Sequence, residues 1–231
     1  MEKTLSEIQK ELKADPKRLE LVSHQFLKKM KGGQLTRDEV SMVVGQWYYP
    51  LENFPFFLSK SISNIKNTSI QSFISDILHE ELGCGNPNDS HLELYISTCV
   101  DVGLDEKQIA NSPAFDATNE LIKGYKAAAE GFNSSLGFLY ATEVADLVMV
   151  SSIGLAISKI SGKQMEDLPW VDIHVKQEPN HVKNVDNVLD IKFEKERVDE
   201  ILRTAREMWN LWINFFTEID LQINKKKTSV A

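Results

Sequence analysis

Cysteine is scarce in this chain, with only Cys84 and Cys99 among 231 residues. Two isolated thiols make neither a disulfide framework nor a CxxC metal pair. Basic side chains are outnumbered, 26 Lys and Arg against 34 Asp and Glu, for a formal charge of −8. A nucleic-acid binder needs a basic face, and the only basic run here is Lys225-Lys226-Lys227, so that class is excluded. No run approaches the ~20 apolar residues that a transmembrane helix needs. The start, MEKTLSEIQKEL, is charged and helical in pattern rather than an apolar signal segment, and a cytoplasmic protein is expected. Alternating β-branched runs with tight turn signals are missing too, which argues against a sandwich or barrel.

What is present is apolar spacing at the helical period. Helices are predicted at roughly 3–13, 16–31, 36–65, 69–82, 90–103, 114–129, 133–161, 165–177 and 194–224. Asp15-Pro16 opens one and Gly32-Gly33 closes it; Thr36 with Glu39 forms a capping box; Gly83, Gly85 and Gly162 end others. Pro50 and Pro55 predict a kink or break in the 36–65 stretch, since each removes an N–H and crowds the preceding turn. Aromatic residues surround that break, and Trp47, Tyr48, Phe54 and, further on, Tyr140 are candidates to line a pocket. No linker or repeat divides the chain. One all-α domain of seven or eight helices is expected over residues 1–224, followed by a flexible basic tail at 225–231.

The chain has only five histidines, and three stand beside acidic residues in three separated pieces. In EELGCGNPNDSH, Glu81 falls in the last turn of one helix and His91 in or near the first turn of the next, with Glu80 and His79 as rivals for the first position. In LYATEVADL, Glu143 is expected mid-helix among apolar and small residues, where a carboxylate is costly to bury unless paired or bound to metal. Asp146, three residues on, is a candidate outer partner. In HVKQEPNH, His174, Glu178 and His181 are spaced to share one helical face, although Pro179 predicts a kink or helix end. Imidazole suits iron and zinc, carboxylate suits harder ions, and such a mixed set on facing helices is what a di-iron carboxylate site needs.

With GGQLTRDEVSMVVGQWYYPLENFPFFLS, EELGCGNPNDSHLELY, LYATE and the His174–Glu178–His181 motif, the chain resembles the heme-oxygenase-like di-iron oxidases over roughly residues 15–220. These belong to a wider group of thiaminase-II-like and pyrroloquinoline-quinone-synthase-like bundles. The resemblance implies a seven-helix up-and-down bundle with Glu81, His91, Glu143, His174, Glu178 and His181 as ligands of two irons, or of an iron–manganese pair. It also implies O2 as co-substrate and oxidation of a small amino-acid, amine or fatty-acid-like substrate, by C–C cleavage or N-oxygenation. A homodimer and an external electron donor are compatible with it; a membrane or nucleic-acid partner is not expected.

Two departures from the family pattern matter, at three positions. Glu178 stands where Asp is more frequent, and the tyrosine and lysine of the para-aminobenzoate-forming members align with Phe26 and Ile153. A self-sacrificing aminobenzoate synthase is therefore disfavoured. A heme oxygenase would use His24 as its proximal ligand, and a thiaminase-like hydrolase would need Cys84 or Cys99 as nucleophile. A non-catalytic interaction protein would scatter the six ligand candidates over the surface. Each of these leaves the His/Glu set unexplained.

Overall fold

The computed structural model describes residues 2–174 and 191–230. Its helices are α1 (Leu5–Lys13), α2 (Pro16–Val22), α3 (Gln25–Lys31), α4 (Arg37–Asn64), α5 (Thr68–Glu81), α6 (His91–Asp101), α7 (Glu106–Asn111), α8 (Asp116–Ala128), α9 (Phe132–Glu143), α10 (Asp146–Ser161), α11 (residues 169–174) and α12 (Lys195–Val230). The one sheet among the described residues is a two-residue antiparallel pairing of Lys3–Thr4 with Lys192–Phe193. No single described helix is long and apolar enough to cross a membrane.

The core is built around α4 and α12. On α12 the buried residues Val198, Ile201, Leu202, Ala205, Met208, Trp209, Trp212, Phe215, Phe216, Ile219 and Ile223 repeat at helical spacing, so one stripe faces inward. That stripe packs along α9 and against α8 and α2. Gly137 allows the α9 approach, because a Cβ there would lie 2.4 Å from the Ile201 carbonyl oxygen. The seven-helix expectation describes the long elements; α7 and the subdivisions below are additional.

Four differences from the sequence expectations have local causes. First, α4 runs unbroken through Pro50 and Pro55. Each proline costs about 3 kcal/mol in a helix interior. Burial of Val43, Val44, Trp47, Leu51, Phe54, Phe57 and Leu58 on this helix outweighs that at roughly 1.5–3 kcal/mol each. The Asn53 side-chain amide also donates to the Tyr49 carbonyl at 2.9 Å.

Second, the 16–31 helix is two. His24 caps α3, its Nδ1 accepting from the Phe26 amide at 3.2 Å while Nε2 meets Thr217 Oγ1 at 3.1 Å. Both ring nitrogens are committed to capping and packing, as a histidine outside any heme site would be. Third, the expected flexible tail is helical: α12 continues to Val230, with Lys227 Nζ 2.8 Å from Oε1 of the buried Glu39. Fourth, the 133–161 helix is divided at Val144–Ala145, a break that positions Glu143.

Candidate metal centre

Glu81 is the last residue of α5 and His91 the first of α6. Between them the chain reverses through Gly83 at φ +81°, where a Cβ would lie 2.1 Å from the Asn86 carbonyl oxygen. Only glycine fits there. The Gly83 and Cys84 amides donate to the Glu80 and His79 carbonyls at 2.9 and 2.8 Å, closing the helix end. Ser90 then caps α6 by accepting from the Glu93 amide. The result is Glu81 Oε1 3.0 Å from His91 Nδ1, with both residues buried. His79 is exposed and Glu80 half-buried, so of the three rivals Glu81 is the one turned inward.

His174 reaches the same point from α11. Its Nδ1 lies 2.7 Å from the Trp170 carbonyl oxygen. A carbonyl only accepts, so Nδ1 carries a proton, the arrangement that orients metal-binding imidazoles. The His91 and His174 ring centroids are 4.6 Å apart. Glu81, His91 and His174 each offer one donor atom within 4.8 Å of the others.

Glu143 is not mid-helix; it is the last residue of α9. The Ala145 amide turns back to Thr142 O at 2.9 Å and the Val148 amide to Ala145 O at 3.2 Å, which frees the Ala141 and Val144 carbonyls from the helical ladder. The Trp209 indole donates to Ala141 O at 2.9 Å and Arg18 Nε to Val144 O at 2.6 Å. α9 and α10 therefore meet at 43°, and Glu143 lines a cavity shared with Glu81, His91, His174, Thr142 and Asp146. Burial first, then the neighbouring Asp146, Glu81 and Glu80 carboxylates, push the Glu143 carboxyl up to about 8. A cavity that holds like charges this close favours a cation, which would displace the protons.

Of the expected pocket residues, Trp47 and Phe54 line this cavity. Tyr48 does not: its hydroxyl donates to Glu52 at 3.0 Å and its ring stands edge-on to Tyr49. Tyr140 does not line it either, being fully buried one turn before Glu143. Trp170, Trp212, Tyr125, Pro50 and Leu51 do, and the sequence reading missed them. Trp170 had a signal, four residues before His174 on the same helical face. Trp212, from a distant helix, had none.

Glu178 and His181 lie outside the described residues. Cys84 is exposed in the α5–α6 turn; Cys99 is buried, and burial pushes its thiol up to about 12. Neither lines the cavity, so no activated thiol stands there. Phe26 and Ile153 are fully buried and also outside the lining. The donor set, two imidazoles and two carboxylates in a buried space, fits iron.

Residues 41–213 match the model of a family described as iron-containing redox enzymes. Two proteins of named activity are similar in sequence. The 4-aminobenzoate synthase of Chlamydia pneumoniae is 21% identical over 207 residues, covering 87% of this chain and 91% of that protein. The 4-chloro-allylglycine synthase of Streptantibioticus cattleyicolor is 22% identical over 170 residues, covering 73% of this chain but only 65% of that protein. In structure the chain is similar to a domain of unknown function with a heme oxygenase-like fold from Shewanella denitrificans, at a TM-score of 0.77 and 17% identity, covering 96% of this chain and 94% of that one. The fold is the heme-oxygenase-like helical bundle.

Proposed function

Because this chain belongs to the family of iron-containing redox enzymes, we propose that it is a non-heme di-iron oxidase or oxygenase that uses O2 to oxidise a small organic substrate. The observation that carries the reading is the buried convergence of Glu81, His91 and His174 within 4.8 Å, beside Glu143 in the same cavity. Glu81, His91, Glu143 and His174 would hold metal, and Glu178 and His181 would complete the set. Bound iron supplies one-electron redox chemistry and a site at which O2 can be reduced.

The protein's own part is to prepare that site. The Trp170 carbonyl holds a proton on His174 Nδ1, so Nε2 would be the nitrogen offered to a bound metal. Glu143 would hold a cation in its ionised form, with release of the proton that burial favours in the metal-free cavity. The aromatic walls exclude bulk water, which strengthens each charge interaction inside. An external electron donor and a cytoplasmic location complete the proposal.

The similarity to the Chlamydia 4-aminobenzoate synthase supports a second reading, formation of an aminobenzoate. Phe26 and Ile153 speak against a self-sacrificing version, since neither carries an oxidisable phenol or an amine, and neither lines the cavity.

The test is anaerobic reconstitution with Fe(II), iron analysis, and an optical spectrum on exposure to O2. About two irons per chain and a transient visible band that His174→Ala abolishes are expected. No bound iron and no band would refute the reading.

A further inference from the structure

Helix α11 starts without a cap of its own. Leu168 precedes it, and its carbonyl accepts from the Val171 and Asp172 amides at 2.9 Å. A leucine side chain, however, accepts nothing from a helix N-terminus. Pro169, the first helical residue, has no N–H to satisfy. The Trp170 amide is therefore the first donor that needs a partner. It finds one on another helix, where Oγ1 of the buried Thr98 on α6 accepts from it at 3.1 Å.

That bond lies on the seam between the helices of two proposed ligands. His91, Tyr95 and Thr98 are spaced i, i+4 and i+7 on α6, which puts them on one face. Each meets α11. The His91 ring centroid is 4.6 Å from that of His174, the Tyr95 ring is 4.8 Å from that of Trp170 at 72°, and Thr98 takes the Trp170 amide. Tyr95 is fixed in turn, its hydroxyl donating to the Val44 carbonyl of α4 at 2.6 Å. Trp170 is thus gripped by its amide and its ring, while its carbonyl accepts from His174 Nδ1 at 2.7 Å.

We infer that Thr98 is a positioning residue of the metal centre: by capping α11 from α6 it sets the register of the two helices, and with it the spacing of His91 and His174. The inference deepens the proposed function and rests on these histidines holding metal. Thr98 acts through Trp170, because it does not itself line the cavity. Valine has the shape of threonine without the acceptor. It would leave the Trp170 N–H buried and unpaired, a cost that the start of α11 relieves only by shifting.

The test compares the full chain with its Thr98→Val, Thr98→Ser and Thr118→Val variants. Thr118 is a buried threonine of α8 whose hydroxyl donates to Gln46 at 2.7 Å, outside the cavity lining, so its valine variant also loses one buried hydrogen bond. Anaerobic titration with Co(II), followed by its visible ligand-field absorption, reads both affinity and ligand geometry. Thr98→Val should bind Co(II) about 10-fold more weakly, in the range for groups that orient metal ligands, and with an altered band. Thr98→Ser should restore both, and Thr118→Val should leave both unchanged. Wild-type affinity in Thr98→Val, no rescue by serine, or an equal loss in Thr118→Val would each overturn the inference.

Amide hydrogen exchange of the metal-free protein, read by NMR, gives a second measurement. First-turn amides normally exchange fast, but the Trp170 amide should be slowed about 10-fold or more in the wild type and in Thr98→Ser. An unprotected Trp170 amide in the wild type overturns the inference even where Thr98→Val does not fold. No uptake of Co(II) or Fe(II) by the wild type would refute the redox reading and the positioning role together, while metal uptake with an unprotected Trp170 amide would refute only the role of Thr98.

Discussion

Replacing Glu143 by Gln should stabilise the metal-free protein while impairing its iron site, and the size of the gain should depend on pH. The carboxyl is pushed from an ordinary 4.5 to about 8 by burial and by Asp146, Glu81 and Glu80. Between those values the folded protein keeps a proton that the unfolded chain has released. Stability of the metal-free wild type therefore falls as pH rises through that window and levels off above it. At 1.36 kcal/mol per decade of proton affinity, the loss between pH 5 and pH 9 is about 4 kcal/mol. Water in the cavity screens part of it, and about 2 kcal/mol is the working figure.

Glutamine cannot ionise, so Glu143→Gln should match the wild type near pH 5 and exceed it at pH 9. For a domain of this length the difference is roughly 4–8 °C in melting temperature. Thermal melts followed by circular dichroism, with chelator present, measure it. The same melts with Fe(II) added give the second half: iron should raise the wild-type melting temperature by mass action and the variant's much less. A variant that melts lower than the wild type at pH 9 without metal would refute the reasoning, because Glu143 would then be held by a favourable partner rather than crowded by like charges.

Three further outcomes follow from the local geometry. Gly83→Ala places a Cβ 2.1 Å from the Asn86 carbonyl at φ +81°; it should lower stability by about 1–3 kcal/mol and reduce iron content, while normal iron binding would show that the turn does not set the Glu81–His91 distance. Arg18→Ala removes the donor to the Val144 carbonyl, and should cost about 1.5–3 kcal/mol for a charged hydrogen bond, read by denaturant unfolding; no change would mean that the helix break stands without it. With a thiol reagent, the exposed Cys84 should react in the native protein and the buried Cys99 only in denaturant. Two reactive thiols in the native state would contradict the packing of α6.

Much of the fold is carried by near-neighbour physics and can be read along the chain. The capping box at Thr36 and Glu39, the Asp15-Pro16 start and the stop at Gly162 need only a few adjacent residues, and they bound real helices. The glycine-rich turn between Glu81 and His91 is legible for the same reason, as only glycine takes its backbone angles. The outcome of competitions between distant groups is not legible. Whether α4 breaks at Pro50 and Pro55 depends on the burial it gains from other helices. The expected 133–161 helix is divided because Arg18 and Trp209, both far off in sequence, take its carbonyls. Burial separated Glu81 from Glu80 and His79, and packing chose Trp212 over Tyr48 for the cavity wall. The sequence by itself determined an all-α chain with its ligand types clustered in three pieces, because helical period and side-chain chemistry are local. Tertiary structure decided which of those side chains meet, because that depends on which helix wins each shared partner.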